Sequence, residues 1–367
     1  KQRATGGAYS RLVIDVANDV AHDVAHDARS LGHFVASPAG RVLATGTIGS
    51  VDKPRKVQLW KLVPGKRVDE LDSLPHSWAT EGLIEWIRFS TDGKRLVMVS
   101  RGAGDTQELL HTCTGHNNSV ESLAFSPDGK TLASGGQDNL VHIWKVATGK
   151  PAIELAGHTF WIMGACMSKD GSRAVTTAGD GTARVWDTEK GVTIRVHKAK
   201  RGQWIPAVAL APNGEQFALT EESRVAVYDM ASGKLVWDYA PANLSKMMFT
   251  TADYSSDGRR LAAAGSDGIT RVWTIGDDAE PVQIRYARKA LVSDPGPKIQ
   301  SHDKLRLTTA CLSPDGRQLA LATQSAMAAS SVIEIWSVDD NTMIRSITLQ
   351  KGNCDHLAYS PDGKQLL

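Results

Sequence analysis

One short motif recurs eight times along the 367 residues, and few chain organisations are compatible with it. It reads SPAG at 37–40, STDG at 90–93, SPDG at 126–129 and SKDG at 168–171. It returns as APNG at 211–214, SSDG at 255–258, SPDG at 313–316 and SPDG at 360–363. Successive copies are 53, 36, 42, 43, 44, 58 and 47 residues apart. The residue types suit a hairpin turn: proline presets φ at the second position, Asp or Asn suits the third, and glycine accepts positive φ at the fourth. Self-similarity at a period of 40-odd residues signals stacked structural repeats. A repeat array also explains how so long a chain avoids the size limit of one compact core, since each unit packs on its neighbours.

Each motif lies between apolar runs, as in LAFSPDGKTLASGG at 123–136 and DYSSDGRRLAAAGSDG at 253–268. About 18 residues after the motif a third run ends in an aromatic: Trp144, Trp186, Tyr228 and Trp273. Trp60 and Trp336 hold that place 23 residues after their turns. Polar turns such as ATGK at 147–150 lead to a fourth run. Four short strands per repeat predict an all-β chain of four-stranded blades.

Two repeats carry more. Gly115-His116, Ser134, Asp138 and Trp144 are spaced like Gly157-His158, Thr176, Asp180 and Trp186 in the next repeat. The pattern GH, SPDG, then WD resembles the WD40 repeat. That resemblance implies a β-propeller and, in these two blades, a hydrogen-bond relay from Trp through Ser or Thr and His to Asp. Buried indole and imidazole nitrogens need such partners. Departures are many. Only Trp186-Asp187 preserves the dipeptide, Tyr228-Asp229 comes near, and Ala263 stands where Ser or Thr belongs before Trp273. The second repeat, with VMVSRGAGD running straight into LLHTCTGH, lacks a third-strand aromatic. It is degenerate, or about ten residues are absent from it.

The spacing predicts one propeller domain over 1–367, with blades near 31–72, 80–112, 116–155, 158–197, 202–240, 246–286 and 304–350. An eighth blade would combine 353–367 with 8–28, where Ile14-Asp15 stands in the Trp-Asp place. Such sharing would satisfy open strand edges. A seven-bladed ring, or a fragment of a longer array, is the alternative. The chain starts at Lys1 and not at Met, which leaves room for an upstream segment.

Chemistry is sparse. No GxSxG, P-loop or kinase signature occurs, and GAGD at 102–105 lacks strand–helix context. Cys113, Cys166, Cys311 and Cys354 show no ligand or redox spacing and read as buried free thiols in a reducing compartment. His22 and His26, in DVAHDVAHDA, could share a face, yet no further ligands accompany them. A net charge of +2 does not favour nucleic acid, and no apolar run of about 18 residues predicts a membrane span. The expectation is therefore a cytoplasmic, monomeric, non-catalytic scaffold without cofactor or metal. A propeller enzyme, a metal-dependent sensor, or a regulatory domain of a larger protein such as a kinase are the rival readings.

The resemblance also implies a binding face at the channel entrance, built from the loops that join blades. Ser119, Trp161, Trp204, Met248 and Arg306 each lie seven residues before a motif, placing Trp161 and Trp204 on adjacent blades. Lys198 and Arg201, with His197 and Lys200 beside them, then Lys246, Lys304 and Arg306 make three entrance loops basic. An aromatic patch rimmed by positive charge suits an acidic protein or peptide segment. The long stretch ARKALVSDPGPKIQS at 287–301 is a further candidate contact loop.

Overall fold

The computed structural model describes the strands between residues 12 and 100 together with 37, 90 and 95. It describes 113–349 apart from 200–203, 222, 241–246, 278–279, 286–304 and 326–330, and then 357, 359, 363 and 365–366. Every described element is a strand, and the strands form separate antiparallel sheets. Blade 1 comprises Leu31–Ala36, Val42–Thr47, Arg55–Lys61 and Ser73–Thr80. Its fourth strand lies beyond the boundary at 72, because eleven residues separate it from the third strand against five in blade 3. Blade 2 is described as Ile84–Phe89 and Leu96–Ser100. Its missing aromatic and the GAGD turn fall outside the described residues.

Blade 3 is Val120–Phe125, Thr131–Gly136, Val141–Lys145 and Pro151–Leu155. Blade 4 is Ile162–Met167, Arg173–Ala178, Thr182–Asp187 and Val192–Lys198. Blade 5 is Val208–Leu210, Gln216–Glu221, Arg224–Asp229 and Leu235–Tyr239. Blade 6 is Phe249–Tyr254, Arg260–Gly265, Ile269–Thr274 and Val282–Arg285. Blade 7 is Leu305–Leu312, Gln318–Ser325, Ser331–Ser337 and Thr342–Leu349. A terminal sheet joins distant parts of the chain: Leu12–Asp15 pairs with Val20–Asp23 on one side and with Gln365–Leu366 on the other, with Ile14 opposite Leu366.

The second and third strands of blades 3 to 7 are nearly all buried, whereas the fourth strands of blades 4 and 5 are largely exposed. The core is a series of layers between neighbouring blades. Val185 and Ala183 of blade 4 pack with Phe217 and Tyr228 of blade 5, and Val225 and Val227 of blade 5 with Phe249 and Trp273 of blade 6. Ala262 and Val272 of blade 6 meet Leu319 and Leu321 of blade 7, and Ile333 of blade 7 meets Leu366. Such layers explain why paired strands with apolar residues on both faces specify this fold.

The recurring turns are built alike. In blade 3 the Ser126 hydroxyl donates to Asp128 at 2.6 Å, the Asp128 carboxylate accepts from Lys130 N–H at 3.0 Å, and Gly129 adopts φ 69°. The turns of blades 4, 6 and 7 repeat the Ser-to-Asp bond. The turns of blades 4 to 7 also lean on the preceding blade. A Cβ on Gly171 would come 2.5 Å from the Thr131 hydroxyl, and one on Gly316 within 2.9 Å of Arg260 Cδ.

The cysteine expectation needs one correction. Cys166 and Cys311 are buried free thiols, and burial pushes Cys166 up to about 12. Cys113 is also free but exposed, because it precedes Gly115-His116 outside any strand. Cys354 lies outside the described residues. No described helix is long and apolar enough to cross a membrane.

Candidate functional site

The turn motifs and the third-to-fourth turns lie at one end of each blade, so antiparallel geometry puts the remaining connections at the opposite end. There the chain enters the first strand and turns from second to third. In blade 3 this end holds a continuous chain of hydrogen bonds. Trp144 Nε1 donates to Ser134 Oγ at 2.9 Å, Ser134 Oγ meets His116 Nε2 at 2.8 Å, and His116 Nδ1 meets Asp138 at 3.0 Å. Blade 4 repeats it: Trp186 to Thr176 at 2.8 Å, Thr176 to His158 at 2.8 Å, and His158 to Asp180 at 2.9 Å. Burial acts to raise the Asp180 carboxyl, but the Thr159 N–H, the Thr182 hydroxyl and His158 outweigh it and hold it low. The structure thus brings together all eight residues that spacing grouped, and their polar atoms are turned on one another rather than toward a substrate.

Blades 5 and 7 satisfy their aromatic differently. Tyr228 donates to Glu221 at 3.0 Å, and Glu221 in turn holds Arg224 at 3.1 Å. Trp336 Nε1 donates to Glu334 at 3.0 Å. In blade 6 Ala263 offers nothing, and Trp273 Nε1 is buried without a partner. Asp267 is held there by Arg271, at 2.8 Å, in place of a histidine.

Above blades 4 and 5 the loop end carries exposed aromatics. Trp161 is 46% exposed and Trp204 54%. Each precedes a fully buried isoleucine, Ile162 or Ile205, which anchors it. The ring stacked on Trp161 is Phe160, with centroids 5.1 Å apart and 42% of Phe160 exposed. Phe160 lies over Gly179, where a Cβ would run into its ring. No ring contact joins Trp161 to Trp204 among the described residues. Met248 is half-buried, its N–H donating to the Ser266 hydroxyl and its carbonyl accepting from Ser266 N–H.

The basic rim is only partly described. Lys198 is exposed at the end of the fourth strand of blade 4, opposite Thr182. Arg201, Lys246 and Lys304 lie outside the described residues, as does the 287–301 loop; Arg306 is described only as a strand position opposite Gln324. His197 does not belong to a basic loop. It sits on the fourth strand, its ring 4.4 Å from Tyr228, and burial with nearby Arg195 and Arg224 lowers it to about 4. It is neutral at pH 7.

Two features escaped sequence reasoning. His142, two residues before Trp144, is buried, and its Nε2 has no partner. Burial and the neighbouring His116 lower its pKa. At the turn end, a cavity of about 450 Å³ between blades 6 and 7 is lined by Asp253, Thr309, Cys311 and Tyr359. Asp253 accepts from Leu312 N–H at 3.1 Å, and burial raises its carboxyl to about 6. Single polar residues on otherwise apolar strands carry no spacing signal.

The model of the WD domain, G-beta repeat, matches residues 107–145, 149–187 and 245–274. Those stretches contain the two complete relays and the third strand of blade 6. The chain carries WD40 repeats in those three stretches. Among its WD40 relatives, the small ribosomal subunit protein RACK1y of Oryza sativa subsp. japonica is 30% identical over 44% of this chain and 49% of its own length. The target of rapamycin complex subunit wat1 of Schizosaccharomyces pombe is 27% identical over 67% of this chain and 75% of its own. Protein tipD of Dictyostelium discoideum is 22% identical over 82% and 48%. The matched part of this WD40 chain thus spans about half the length of the first and third of these relatives.

Proposed function

We propose that this WD40 protein is a non-catalytic scaffold that binds a protein or peptide on the loop face of blades 4 and 5. The observation that carries this reading is the exposed aromatic set Phe160, Trp161 and Trp204, positioned by buried neighbours in the segments that lead into the first strands of blades 4 and 5. Large aromatics left in water are favourable to cover, and they anchor many interfaces. Lys198 at the same end, with Arg201, Lys246, Lys304 and Arg306 nearby in sequence, favours an acidic segment as the partner. The names of two relatives, a ribosomal subunit protein and a target of rapamycin complex subunit, describe components of larger assemblies, which supports a scaffold role here. The polar residues of the relays are committed to each other, which leaves them poor candidates for catalysis. A cytoplasmic location accords with the free thiols.

The test is binding of fluorophore-labelled acidic peptides, followed by anisotropy, to the wild type and to a Trp161→Ala/Trp204→Ala double variant. The expected result is saturable, salt-sensitive binding that the double variant loses. Equal binding by both proteins would remove this face from consideration.

A further inference from the structure

The carboxylate that ends the blade 3 relay has a second imidazole beside it. One nitrogen of His116, one of His142 and one oxygen of Asp138 lie within 4.8 Å of one another. The two rings meet edge to face, with centroids 4.4 Å apart. His142 is 6% exposed, and its Nε2 is buried with no hydrogen-bond partner. An unsatisfied buried polar atom is costly to leave unpaired, so a ligand that engages it has an advantage built in. We propose that His116, Asp138 and His142 bind a divalent transition-metal ion, zinc or a cation of similar preference, at the loop end of blade 3.

Two imidazoles and a carboxylate are a donor set for zinc, copper or nickel, not for calcium or magnesium. The protons balance without loss from the site. In the relay, Ser134 Oγ accepts from Trp144 and donates to His116 Nε2, so the imidazole proton sits on Nδ1 facing Asp138. A metal on Nδ1 needs that nitrogen bare. The proton then resides on Nε2, where the Ser134 carbonyl oxygen lies 3.2 Å away and accepts it. Asp138 stays fixed by the N–H groups of Asn117 at 2.8 Å and Leu140 at 3.2 Å while one lone pair turns to the ion. Three protein ligands leave a fourth position for water or for a group from a partner.

Blade 4 is the internal control. It has the same His158–Asp180 pair, but Arg184 occupies the register position of His142, opposite Thr176 instead of Ser134. A guanidinium cannot ligate and repels a cation. The inference is therefore specific to blade 3.

The experiment uses the full chain with Cys113→Ser, His22→Ala and His26→Ala, which removes the exposed thiol and the repeated histidine pair as competing ligands. Zn²⁺ is titrated with thermal unfolding as readout, and Co²⁺ with visible absorption. We expect one equivalent, a raised Tm and a cobalt ligand-field band. His142→Leu, which leaves the relay bonds in place, should weaken binding by more than about 100-fold, beyond the loss of an outer-shell partner. His142→Arg, copying blade 4, should do the same with an unchanged circular dichroism spectrum. Arg184→His should raise the stoichiometry to two. No band and no Tm shift in the background protein, or full affinity retained by a folded His142→Arg protein, would overturn the proposal.

Discussion

Trp273 and Ala263 stand diagonally on adjacent strands of blade 6, and the indole N–H between them has no acceptor. The same diagonal joins Trp144 to Ser134 and Trp186 to Thr176 by bonds of 2.9 and 2.8 Å. Ala263→Ser should therefore supply the missing oxygen and stabilise the protein by about 1 kcal/mol. Chemical denaturation measures it; a lower midpoint would mean that the buried hydroxyl does not reach the indole.

Thr176 lies at the opposite extreme. Its hydroxyl serves both Trp186 Nε1 and His158 Nε2 at 2.8 Å and is fully buried. Thr176→Val keeps the shape and strands both nitrogens, at an expected cost of roughly 2–4 kcal/mol. Thr176→Ser should stay close to wild type. If both variants unfold at the same denaturant concentration, the hydroxyl is not what matters.

Stability should fall on mild acidification because of His197. Its folded pKa of about 4 lies below the unfolded value of about 6.5, so the unfolded chain binds the proton first. Its contribution is complete above about pH 6.5 and is lost as pH falls toward 4. His197→Phe keeps the packing on Tyr228 and should flatten stability across that window. A variant as acid-sensitive as the wild type would place the titration elsewhere.

The terminal sheet supports our reading of an eighth blade assembled from both ends of the sequence. Leu366 is fully buried beside Cys311 and Ile333, and Leu12–Asp15 covers its strand edge. Deleting residues 1–20 should lower Tm and promote aggregation through the uncovered edge. Unchanged thermal stability and solubility would count against a shared blade.

The blades were legible because turns recur at fixed spacing and a repeated signal survives local noise; the relays were legible through the resemblance to the WD40 repeat. Trp186, Thr176, His158 and Asp180 meet because register follows from hairpin turns. What was not legible depends on which way a single side chain points. His197 reads as loop charge until the strand Val192–Lys198 turns it onto Tyr228. Phe160 stacks on Trp161 at the surface with Gly179 leaving room beneath its ring. Glu334 and Glu221 replace the missing relays through positions that no spacing rule connects to Trp336 or Tyr228.

The glycine turns lean in one direction. Gly171 rests against Ser126 and Thr131, Gly214 against Lys169, Gly258 against Pro212, Gly316 against Ser255, and Gly363 against Pro314. This is the geometry of a heterologous, head-to-tail interface, repeated within one polypeptide. Head-to-tail contacts carry no stop signal: any copy accepts another, and only the wedge angle between neighbours decides where the circle meets itself. A copy inserted between Leu155 and Ile162 would find compatible surfaces on both sides, and the strain would appear at the place where the circle has to close.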